Sequence, residues 1–200
     1  MKTPEFFASV RTIRMFDPLA EFLGAAEDGQ IEYAYLDAVK LAGHSCPTVA
    51  GAYLSTLKAL ERLYPGTMPR RGDIKVSFRE SGTSGVTGVM ANIAALITGA
   101  TQDNGFKGIN GKFDRRNLLF FDADVPGEIC FERRDTGIAV NTTYHPETVP
   151  PDPAMKDLMQ TVMAGSADAM ARKEFARLWQ ERVKRILIDH IDDPRLVILG

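Results

Sequence analysis

Apolar and polar positions change period several times along the chain, and each change predicts an element. Over residues 16–25 and 33–41 apolar side chains recur every three or four positions, which predicts two helices. Ala34, Tyr35, Ala38, Val39 and Leu41 would form the buried face of the second. Beyond a turn at residues 43–47, Val49, Tyr53, Leu57, Leu60 and Tyr64 make a stripe on a third helix, stopped by Pro65-Gly66. Over residues 73–80 the period becomes two: Ile74, Val76 and Phe78 alternate with Lys75, Ser77 and Arg79, as a half-buried strand requires. A glycine-rich run, SGTSGVTG, leads into Val89, Met90, Ile93, Leu96 and Ile97, a strongly apolar segment that reads as the central helix. Residues 98–110 are polar and glycine-rich, either a loop able to bring backbone amides close to a ligand or an unstructured surface turn.

Residues 118–121, 129–132 and 138–144 read as strands, the last two joined by a hairpin turn at residues 133–137. The proline cluster VPPDP separates them from a helical C-terminus, where Phe175, Leu178, Trp179, Val183, Ile186 and Leu187 recur at helical spacing, the stripe of a docking or dimer-forming helix. Helices, one strand, a helix, strands and a final helix are no steady βαβ alternation. The expected class is therefore α+β, helices packed on a mostly antiparallel sheet. A core domain would span residues 1–150 and a C-terminal helical extension residues 151–200.

Composition narrows the class of partner. A 200-residue chain with 44% hydrophobic and 25% charged residues can bury a sizeable core. A formal charge of -2 offers no basic surface to phosphates, so nucleic acid is not an expected partner. Glu5, Arg11, Arg14 and Asp17 interrupt the first apolar run, which excludes a signal peptide or membrane span there and predicts a cytoplasmic protein. In that compartment the 2 cysteines are expected as thiols or ligands rather than a disulfide.

The candidate chemistry lies in the run Gly43-His44-Ser45-Cys46-Pro47, which uses one of the 2 cysteines and one of the 3 histidines. Gly43 suits the left-handed end of one helix and Pro47 the first turn of the next, so Cys46 sits at a helix N-terminus. Unpaired N–H groups and the helix dipole favour its thiolate there, the form that ligates metals or attacks electrophiles. The competing reading is a buried Cys acting as a small hydrophobe beside a His that caps the turn.

These residues resemble those of a known family. GHSCPTVAGAYLSTLKAL is similar to the signature of the FmdE family, named for formylmethanofuran dehydrogenase, in which a GHxCPG-type turn opens a long helix. In the same order, ANIAALITGAT resembles that family's helix ending in TGCT. GKFDRRNLLFFD and FERRDTGIAV resemble its GK strand region and RxTG hairpin, and RLWQERVKRIL its final helix. The resemblance covers residues 33–187. It implies an α+β core, a homodimer, and a His and Cys cluster in a cleft holding a transition metal, zinc first, with nickel or iron as alternatives. His44 and Cys46 match its ligand positions, Thr98, Gly99 and Thr101 its loop after the helix, and Lys112 its GK lysine.

The chain also departs from that pattern. Ala42 stands where many members have His, Asn92 where they have Asp, Ala100 where they have Cys, and the CxxC pairs of a structural zinc finger are missing. An open zinc site needs about three protein ligands, and His44 with Cys46 supplies two. His145, just past a predicted strand, is the expected third; Cys130, Asp122, a residue of the N-terminal helices or a side chain from a second copy are alternatives. The last histidine, His190, is expected to be exposed in a charged tail. As an enzyme, the protein would use the metal as a Lewis acid on a small carbonyl-bearing or one-carbon substrate, held by Thr98, Asn104, Lys107 and Lys112. The redox chemistry of the family's namesake complex does not transfer, since no molybdopterin or iron–sulfur ligand set is present. Two other classes remain open: an accessory or sensor module binding metal, haem or a small ligand, and a thiol enzyme in which His44 activates Cys46.

Overall fold

The strand periodicity resolves into a five-stranded sheet in the computed structural model, which describes residues 2–200. Strands β3 (Ile74–Phe78), β4 (Leu119–Phe120), β5 (Ile129–Arg133), β6 (Ala139–Tyr144) and β7 (Val197–Leu199) lie in the order β4-β3-β5-β6-β7. All neighbours are antiparallel except β3 and β4, which run parallel because α4 (Thr87–Thr98) crosses between them. Register aligns Val76 with Phe131 and Phe131 with Val140, so one face is a continuous apolar surface. The expected α+β class holds.

That face is covered by α3 (Pro47–Leu63), which buries residues on every side of its axis, including Gly51, Ser55 and Thr56. It is the central helix; the segment expected in that role, α4, leaves Asn92 exposed and packs beside it. The reason is side-chain size. Gly51, Ala52 and Ala59 let neighbours approach α3 closely, and a Cβ at Gly51 would lie 2.2 Å from the Tyr144 ring.

The N-terminal region differs from the expected helix over residues 16–25. It contains a hairpin, β1 (Ile13–Phe16) with β2 (Gln30–Tyr33), and only a five-residue α1 (Pro18–Phe22). Asp17 accepts hydrogen bonds from the Leu19 and Ala20 N–H groups and Pro18 follows it, so no helix can begin earlier. Next, α2 (Tyr35–Ala42) starts where Asp37 accepts from the Ala34 N–H and ends at Gly43, whose φ of 76° only glycine adopts freely.

At the other end stand α5 (Met155–Met163), α6 (Ala169–Lys184) and a π-helical turn, Arg185–Asp189. The segment 151–200, expected as an extension, feeds Val183, Ile186, Leu187, Leu196 and Val197 into the same core, and its last strand completes the sheet. No helix among the described residues is long and apolar enough to cross a membrane.

Candidate functional site

The GHSCP corner joins α2 to α3. Cys46 caps α3: its Sγ accepts the Val49 N–H at 3.4 Å, and only 9% of the residue is exposed. His44 stands outside, with Nδ1 2.9 Å from the Ala42 carbonyl. A carbonyl only accepts, so Nδ1 is the donor, and in the neutral imidazole Nε2 is the nitrogen with the free lone pair. The same backbone bond orients histidines that ligate metals in other proteins.

Ser45, between them, is clamped from two directions. Its carbonyl accepts from Trp179 Nε1 at 3.0 Å and Gln180 Nε2 at 3.2 Å, while its hydroxyl donates to Gln180 Oε1 at 3.0 Å. The Ser45 proton is thereby spent, so Tyr35 is the donor in its 3.0 Å bond to Ser45 Oγ. Tyr144 donates to the Pro47 carbonyl at 2.9 Å. Burial pushes both the Tyr35 and Tyr144 phenols up, so both keep their protons at neutral pH. The corner is a preorganised turn, fixed by α2, β6 and α6 together.

His44 helps line a hollow of about 150 Å³ with Leu41, Ala42, Val89, Asn92 and Ile93; Cys46 is not part of its wall. Other expected site residues lie elsewhere. Thr98 is fully buried, donating to the Ala94 carbonyl at 2.7 Å and accepting from the Ala100 N–H, which makes it a cap of α4. Asn104, Lys107 and Lys112 are exposed on the following loop and line no part of the His44 hollow. His145 leaves β6 with Nδ1 2.8 Å from Glu147 Oε1. Among the described residues no three His, Cys, Asp or Glu side chains gather closely enough to hold one ion, so His145 is not brought to His44 and Cys46 as a third ligand. Cys130 and Asp122 are not brought there either. His190 is half-buried, 3.4 Å from Asp193, rather than exposed.

Several residues that shape the site carry weak sequence signals. Trp179 and Gln180 sit in the C-terminal apolar stripe and Tyr144 in a strand pattern, and nothing local marks them as supports for residue 45. An ion cluster at the far end of α4 has no sequence signal at all. Asp17 pairs with Arg71 at 2.9 Å and Arg115 at 2.6 Å, and Arg71 also donates to the Ile97 and Leu96 carbonyls. Arg115 is 5% exposed, and its Nε and Nη1 have no partner among the described residues. This knot anchors the start of the loop over residues 98–110.

The protein is an α+β, helix-on-sheet fold in which an N-capping Cys and a backbone-oriented His share one interhelical corner at a helix N-terminus. The chain belongs to the FmdE family: the family model described as "FmdE, Molybdenum formylmethanofuran dehydrogenase operon" matches residues 41–193, a range that opens just before this corner and ends beyond the π-helical turn, ahead of β7. No curated protein matches the chain.

Proposed function

We propose that this FmdE-family protein binds one zinc-type transition ion at the GHSCP corner through His44 Nε2 and the Cys46 thiolate. The observation that carries the reading is the 2.9 Å bond between His44 Nδ1 and the Ala42 carbonyl, which leaves Nε2 as the free donor two positions from a sulfur at a helix N-cap. The donor types fit zinc, nickel or iron. The donor number falls short of the three that an open site uses, so the remaining positions belong to solvent, to a bound small molecule or to a side chain of a second copy in a homodimer. With such an ion the protein would polarise a small carbonyl-bearing or one-carbon substrate in the cytoplasm.

The exposed placement of Asn104, Lys107 and Lys112 away from the His44 hollow favours a second reading, a non-catalytic accessory module that holds the ion or a small ligand. The ion is common to the first reading and to the metal-holding form of the second. Protein reconstituted with zinc and desalted should retain about one ion per chain, and His44→Ala and Cys46→Ala should each lose most of it while keeping the wild-type circular dichroism. Retention unchanged in both variants, or no retention by the wild type, overturns the proposal.

A further inference from the structure

Helices α5 and α6 form a hairpin that carries an apolar groove of about 360 Å³, walled by Met159, Val162, Met163, Phe175, Trp179 and Gln180. Met163 is 82% exposed, so the groove is not closed by the protein's own core. Two helices packed side by side leave a channel that a third helix fills, and flexible methionines adapt to varied apolar partners.

The charges around the groove select the occupant. Arg172 lies three residues before Phe175 and four before Ala176, on the face that lines it; Lys156 lies three before Met159 and seven before Met163; Lys173 lies seven before Gln180. All three cations are exposed, and none has an ion-pair partner among the described residues. The acids of the two helices are turned away or engaged. Asp168 caps α6, Glu174 pairs with Arg177 at 2.7 Å, Glu181 pairs with Lys184 at 3.8 Å, and Asp157, two positions from Met159, lies on the opposite side of α5. A second copy seated here by a two-fold axis would set these cations against themselves. We propose that the groove is a docking site for an amphipathic helix of another protein, with an apolar face flanked by Asp or Glu.

Two walls of the groove, Trp179 and Gln180, also hold the Ser45 carbonyl. A helix seated on them therefore bears directly on the GHSCP corner, yet docking requires no metal there.

Trp179 is the only tryptophan of the chain, which gives an intrinsic probe. The full-length protein would be titrated with a four-turn synthetic helix bearing leucines on one face and glutamates beside them. A lysine-flanked helix with the same leucine face and vesicles of phosphatidylserine serve as comparisons. A saturable blue shift of Trp179 emission is expected with the glutamate helix. Reversing two charges, Lys156→Glu with Arg172→Glu, should weaken it about tenfold, from two exposed ion pairs, and favour the lysine helix. Lys156→Gln with Arg172→Gln serves as a milder pair should the reversal disturb folding. Equal response to both helices, a shift produced by vesicles alone, or a shift that follows protein concentration without peptide would each overturn it.

Discussion

Asp17 shows how much one side chain can determine at the residue scale. Only 3% exposed, it accepts from the Leu19 and Ala20 N–H groups and is shared by Arg71 and Arg115. Burial alone would raise its pKa, but the hydrogen bond from Arg71, the charge of Arg115 and the two backbone N–H groups outweigh it and hold the carboxyl below its ordinary range. The sign follows by linkage. A carboxyl depressed in the folded state contributes stability that is fully present above its unfolded pKa of about 4 and is lost as pH falls through the lower folded value. Asp17→Asn leaves two guanidinium groups around a neutral side chain and should cost about 3–5 kcal/mol at pH 7. It should also flatten the loss of stability below about pH 4. Urea midpoints across pH measure both; a variant as stable as wild type at neutral pH would show that the arginines are adequately solvated without the carboxylate.

At the element scale, local sequence fixes the ends of helices and long-range packing fixes what they support. Gly43, Cys46 and Pro47 are readable as C′, N-cap and first-turn residues because each role depends on backbone geometry within one turn. Strands β3, β5 and β6 are readable because a half-buried face imposes a period of two. The hairpin of β1 and β2 is four residues a strand, too short for a period to stand out, and β7 is three residues held by its register with β6. The clamp on Ser45 comes from Gln180, 135 residues away, so no local pattern announces it. That clamp has a measurable signature. Ser45→Ala and Gln180→Leu each remove the same hydroxyl–amide bond, and their destabilisations should be non-additive by about 1 kcal/mol in a double-mutant cycle. Simple additivity would mean that this hydroxyl–amide bond contributes nothing to the corner.

At the scale of the whole molecule, one core ties the GHSCP corner to both ends of the chain. Helix α3 is packed by the sheet, by α4 and by the π-helical turn after α6, so the corner at its N-terminus inherits the rigidity of the fold. The central claim is that this rigidity holds one nitrogen and one sulfur donor toward a common ion. His44 and Cys46 are legible as candidate donors from their spacing and helix-end position; a third ligand is not, because ligands far apart in sequence are gathered only by the tertiary fold. X-ray absorption at the zinc edge of the reconstituted protein tests the claim most directly. The expected spectrum has one sulfur at about 2.3 Å with nitrogen and oxygen neighbours at about 2.0–2.1 Å, and loses the sulfur shell in Cys46→Ala. A shell of nitrogen and oxygen alone in the wild type would contradict it.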